Sequence, residues 1–383
     1  MAIKKRDNSD SRIASLRVQD KEYNELYRKW RIDHKKDYGF YFLDNSDELT
    51  YRDGEGFITE SPEAGERSAF TEIHSLLAKF LLIYTLLNYF DWFMANIVPA
   101  LGDSVPFFYD LLRFISSSEQ LSVAYDYITK ILIRVPPLFY LLSKVRMPKK
   151  IILTSKIRNK PLFNICVPMA LLTFAIATLL SNVQYVAASF MGVNPNHYLW
   201  IPIDGTCRRL IILLIVVIIP ILSETVHHGI LLQILKQFGD EYALILTSVI
   251  AALTTENYNS FLFIFTVMLV TGFFVVRSGS ILTGFLMRII ISGGVYFLTA
   301  LRDSGVPYGT YITITAATLL ICIIIGFTAV TSFILRHSGK ISLPLYKMYL
   351  DSRERLMCCL SNPTVIMWLT LTFTLMILKV KLL

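Results

Sequence analysis

Nine apolar stretches follow one another along the chain, near residues 76–97, 122–143, 162–189, 210–235, 242–255, 259–276, 280–301, 309–335 and 359–378. Most reach the ~20 residues that a helix needs to cross a bilayer, and none alternates apolar and polar residues as barrel strands do. The pattern predicts an all-α polytopic membrane helix bundle of about eight to ten transmembrane helices. The fifth stretch is short, and is expected to be partly re-entrant or to meet the sixth inside the protein. Ahead of the first stretch, residues 1–71 are charged and rich in tyrosine. There DKEYNELYRKWRIDHKKD has helix-forming composition, and YGFYFLDNSDELTYRDGEGFI reads as a strand pair around Asn45–Glu48. Four regions follow: an N-terminal segment 1–71, membrane helices 72–205, a membrane core 206–302 and further membrane helices 303–383.

Composition agrees with a membrane protein. The 383 residues are 54% hydrophobic with a mean hydropathy of +0.52, against ~45–50% apolar for soluble domains. The net charge of +8 is uneven: residues 1–71 carry −2 and the rest +10. Lys144 to Lys160 holds seven basic residues and no acid, and the 336–355 loop is basic as well. Loops 190–207 and 302–308 carry few charges. By the positive-inside rule the amino terminus and both basic loops are cytosolic, and the apolar spans flanking the basic run argue against nucleic acid as a partner. The first apolar stretch starts only near Leu76, so no cleavable signal peptide is expected, and the plasma membrane of a bacterium is the expected location. The five cysteines lack metal-site spacing. Cys358–Cys359 reads as an inert pair at the membrane edge, and no cofactor or metal is called for.

The chemistry lies in three polar interruptions. Glu224 stands inside LIILLIVVIIPILSETVHHGILLQIL, residues 210–235, followed by His227 and His228 and preceded by Ser223. A carboxylate at bilayer depth is costly unless paired or facing a polar cavity. The second interruption is Thr254-Thr255-Glu256-Asn257, and the third is Arg288 with Ser292 one turn on. Helical spacing puts Glu224 on one face with His227 and His228. Glu224 and His227 also have the i, i+3 spacing of di-iron bundles, but a second such motif is missing.

These residues stand in a frame that resembles the CAAX-prenyl-protease and bacteriocin-processing (CPBP) family of intramembrane proteases. Pro220 to Gly229 is similar to its P-x-x-E-E-x-x-x-R-G segment, and Arg277-Ser-Gly-Ser280 with the following helix to its R-T-G-S turn. The likeness covers about residues 206–300. It implies a CPBP-like core at 206–302 and a first motif on Ser223, Glu224 and His228. The FxxxH motif falls on Ala251 and Thr255, and HxxxN on Arg288 and Ser292. Of these seven motif positions, Glu224 alone carries the family's residue, and no histidine occurs between Gly229 and Arg336.

A general base must stand within ~3 Å of its proton and an oxyanion needs preorganised donors. Glu224 as base with His228 and Arg288 as donors is one expectation, an intramembrane endopeptidase with a rewired site, in which Glu256 lends support. The favoured one is a non-proteolytic scaffold that binds another membrane protein or a hydrophobic peptide. A transporter is kept as a third class, although no internal repeat is visible. In the scaffold reading Glu224 and Arg288 form a buried ion pair between helices. Ser223, His227, Thr255, Glu256 and Ser292 then supply the polar core.

Overall fold

A computed structural model describes residues 21–31, 50–52, 56–58, 62–154, 156–190, 193–194, 209, 212–337, 350–379 and 381–382. Every one of the nine apolar stretches lies on a helix. We number the principal helices α1 (Lys21–Arg31), α2 (Pro62–Leu101), α3 (Pro106–Ser116), α4 (Glu119–Val145), α5 (Cys166–Phe190) and α6 (Leu214–Phe238). They continue as α7 (Asp240–Leu253), α8 (Phe261–Ser278), α9 (Ile281–Asp303), α10 (Tyr308–His337), α11 (Ser352–Leu360) and α12 (Pro363–Leu378).

Six of these, α2, α5, α6, α8, α9 and α10, are long and apolar enough to cross a membrane, and the α11–α12 pair, bent by 75°, makes a seventh if taken as one span. The expected eight to ten counted two more. Of these, α4 carries Lys130 and Arg134 within its apolar run and a Pro136-Pro137 pair, and α7 has only 14 residues. Over the described residues the molecule is an all-α polytopic membrane bundle.

Local chemistry sets the breaks. Gly279 takes the left-handed conformation (φ 71°) at the end of α8, and Ser280 caps α9 by accepting from the Leu282 amide at 3.3 Å. The Arg277–Ser280 turn is thus a helix stop followed at once by a helix start. Gly239, at φ 106°, separates α6 from α7. The segment after α4 braces this end: the Ile281 amide donates to Thr154 O at 2.8 Å, and the Arg158 amide to Ser278 O at 3.0 Å.

The charged N-terminal segment does contain a helix, α1. Its Tyr23 and Tyr27 hydroxyls donate to the Gln233 side chain (2.6 Å) and carbonyl (2.8 Å), and Trp30 Nε1 donates to Val145 O at 2.8 Å. The three rings are buried. Residues 21–31, the end of α4 and the end of α6 therefore lie at one end of the bundle. The strands Thr50–Arg52 and Gly56–Ile58, both within the run expected to form a strand pair, pair antiparallel, and the turn expected around Asn45–Glu48 lies outside the described residues. The helix α2 begins at Pro62 and runs through the 71/72 boundary expected between segment and membrane region, because Glu63 to Lys79 continues the same helix outward.

Candidate functional site

The site is built on α6, and α6 is not a regular helix. Leu214–Ile218 and Thr225–Leu231 are wound as π-helix on either side of a short α segment. Pro220 has no amide hydrogen for the carbonyl of residue 216, which falls inside the first π stretch. At the second, side chains bond back to carbonyls one turn earlier. Thr225 Oγ1 donates to Ile221 O at 2.8 Å, and His227 Nδ1 to Ser223 O at 2.8 Å. That bond fixes the His227 tautomer and leaves Nε2 as an acceptor.

Two pairs of residues leave this helix in different directions. Glu224 and His228 are fully buried. One carboxylate oxygen, Oε2, accepts from His228 Nδ1, and the other, Oε1, lies 3.3 Å from Nε of Arg288 on α9. The expected interhelical ion pair is present, though its Nε–Oε1 contact lacks hydrogen-bond alignment. Space for it is left by glycine. A Cβ on Gly284 would stand 2.7 Å from Glu224 Oε2 and 2.8 Å from Val275 Cγ2. On Gly272 it would stand 2.7 Å from His228 Nε2 and 2.5 Å from Leu244 Cδ1. Gly284→Ala is expected to cost about 1–3 kcal/mol by overpacking the carboxylate site. An unchanged thermal midpoint in detergent would show that the site has room.

Ser223 and His227 instead line a cavity of about 210 Å³, together with Thr254 and Thr255 from α7 and its end, Arg288 and Ser292 from α9, and Arg134 from α4. The positions matched to the family's motifs at Ser223, Ala251, Thr255, Arg288 and Ser292 thus come together around one hollow. Glu224 and His228 do not line it. The face shared by Glu224, His227 and His228 in the sequence reading is divided, because a π turn takes more residues than an α turn and shifts side chains around the axis.

Glu256 also stays out of the cavity. It is 1% exposed, sits in the left-handed region (φ 50°), and pairs with Lys379 Nζ at 2.8 Å. Burial raises its carboxyl to about 7 against the opposing pull of Lys379. Among the described residues no group of three or more His, Cys, Asp or Glu is arranged to hold a metal ion. Sequence reading passed over Arg134, Gly272 and Gly284. Arg134 was visible as a lone guanidinium in the apolar run ITKILIRVPPLF; the glycines carried no signal, since their role depends on which helix faces them.

No curated protein and no solved structure matches the chain. The family model described as Type II CAAX prenyl endopeptidase Rce1-like does match, over residues 207–294. That range runs from ahead of α6 into α9 and takes in every cavity residue except those of α2 and α4. By that match, residues 207–294 are similar to the Rce1-like type II CAAX prenyl endopeptidases, and the likeness is confined to this part of the membrane bundle.

Proposed function

We propose that this CPBP-like membrane protein is a non-proteolytic scaffold that uses its core to hold another membrane protein or a hydrophobic peptide. The observation that carries the reading is the placing of Glu224. Its two oxygens face His228 and Arg288 behind the cavity wall, and no Asp or Glu among the described residues lines the cavity. A base must reach the proton it removes, and this carboxylate is turned the other way. The roles proposed for the site residues follow. Glu224, His228 and Arg288 hold helices in register, and Ser223, His227, Thr255 and Ser292 offer hydrogen bonds to a bound segment.

Purified protein mixed with membrane-embedded or prenylated reporter peptides is expected to show no cleavage above Glu224→Ala and His227→Ala controls. A second reading rests on His227, whose tautomer leaves an acceptor nitrogen on a cavity-lining ring. In that reading His227 takes the base role in an endopeptidase and Arg288 holds the oxyanion. Cleavage that disappears in His227→Ala would replace the scaffold reading by this one. Affinity capture from native membranes should return a protein that wild type holds and that Ser292→Leu and Thr255→Leu, which obstruct the cavity, release.

We further propose that the α1 end of the bundle is cytosolic, on the strength of the seven basic residues between Lys144 and Lys160. Cysteines introduced at residues 50 and 155 should both stay unlabelled by an impermeant reagent in intact cells. Labelling of either one reverses or breaks the topology.

A further inference from the structure

Two guanidinium groups line the cavity, and among the described residues no carboxylate lines it with them. Arg134 lines it from α4, and among the described residues no carboxylate comes within ion-pair distance of its guanidinium; its one hydrogen bond is from Nη1 to Lys130 O at 2.5 Å. Arg288 lines it from α9, is 8% exposed, and meets Glu224 only through Nε. Its two terminal amino groups, the fork that binds a carboxylate or phosphate in two-point fashion, have no hydrogen-bond acceptor among the described residues. The Ser292 hydroxyl beside it has none either. An uncompensated guanidinium at bilayer depth is costly, and its ordinary relief is a counter-charge. The rest of the wall is mainly apolar: Phe80, Leu81, Ile215, Ile219, Ile264 and Met268. Cationic donors and hydrocarbon in one cavity wall are the complement of an amphiphile with a small anionic head.

We propose that this cavity is a binding site for a single-chain anionic amphiphile, whose carboxylate or phosphate monoester is held by Arg288, Arg134 and Ser292 while its chain lies along the apolar wall. The site is the same hollow, Ser292 included, that holds a bound segment in the scaffold reading, but amphiphile binding needs no protein partner. The head gives Arg134 a direct ion-pair partner, which Glu224 gives Arg288 and which Glu256, outside the cavity, supplies only at a distance. His227 faces the same space with an acceptor nitrogen, which suits a hydroxyl next to the head or a protonated acid.

The test uses the full chain in nanodiscs of neutral lipid and three probes: oleate, oleoyl lysophosphatidate and the uncharged oleyl alcohol. Saturable one-to-one binding of oleate or of lysophosphatidate is expected, and whichever binds identifies the head. Oleyl alcohol should bind at least tenfold more weakly. Arg134→Met should weaken the anionic probe about tenfold, and Ala251→Leu, which fills the cavity from α7, should abolish saturable binding. Arg288→Met is left out of the decisive set, because losing the Glu224 pair can unfold the core. Binding of oleyl alcohol as tight as oleate, saturation retained in Ala251→Leu, or no saturable binding of either anion overturns the proposal. The scaffold reading is scored separately, by peptide cleavage and partner capture.

Discussion

Glu224→Gln should lower stability by about 3–5 kcal/mol, the usual cost of removing one member of a buried pair. The substitution leaves Arg288 with no anion and His228 with a weaker acceptor in a core where Glu224 and His228 have no solvent contact. Arg288→Met should cost a similar amount from the other side, stranding the carboxylate. The double mutant should recover much of the loss, because the charge is gone from both helices and methionine fills the space. Recovery stays incomplete, since the amide at 224 still has to satisfy His228 Nδ1. A double-mutant cycle on thermal or chemical denaturation in detergent measures the coupling. Simply additive losses would mean that the 3.3 Å contact contributes nothing, and would falsify a register-holding role.

The other large effect belongs to the opposite kind of contact, aromatic and interfacial. Tyr27 is 2% exposed, lies 5.9 Å from the Tyr23 ring and 5.5 Å from Trp30, and its hydroxyl donates to Gln233 O. Tyr27→Ala should cost about 3–5 kcal/mol of docking, as large-aromatic truncations do. Tyr27→Phe should cost only about 1 kcal/mol, the net value of one hydrogen bond. The readout is limited proteolysis within residues 21–31, because α1 is expected to come loose before the bundle melts. Burial raises the hydroxyl pKa of both Tyr23 and Tyr27 above the ordinary 10. A raised folded-state value means that docking is at full strength below about pH 10 and weakens as pH rises beyond it. Alkaline titration should therefore release α1 in wild type, with the same proteolytic signature. A Tyr27→Ala protein as resistant as wild type would show that α1 docks by other means. The Lys150–Glu22 bridge at 2.7 Å is exposed and is expected to contribute little of this.

Much of this was legible in the sequence. Long apolar runs and basic loops suffice to call a helical membrane bundle, and the Glu224–Arg288 pair follows from two lone charges in the fourth and seventh stretches, which the family resemblance sets against each other. The Arg277–Ser280 turn is legible because Gly279 and Ser280 are residues that end and start helices. What escaped is whatever depends on how far a helix departs from 3.6 residues per turn. Spacing alone puts Glu224 with both His227 and His228; the π winding keeps Glu224 with His228 and sends Ser223 with His227 into the cavity. Arg134 was missed for a different reason. It sits outside the stretch that resembles the family, and only packing brings α4 to the core.

The forty residues of α2 make a rod of roughly 60 Å, about twice the hydrocarbon thickness of a bilayer. Two of the helices that line the cavity are far shorter: the 14 residues of α7 reach roughly 21 Å and the 18 of α8 roughly 27 Å. One molecule therefore presents two hydrophobic lengths to the same lipid. The first turns of α2, from Glu63 to Lys79, are polar enough to stand clear of the membrane and carry Phe70 and His74 to their contacts with Phe238 and Tyr242. A span shorter than the hydrocarbon layer is accommodated by local thinning or by its packed neighbours, so any adjustment to the lipid is expected beside α8 rather than beside α2. Hydrophobic mismatch thus becomes a property of one side of this protein, and bilayers of different thickness will load α7 and α8 while leaving α2 unstressed.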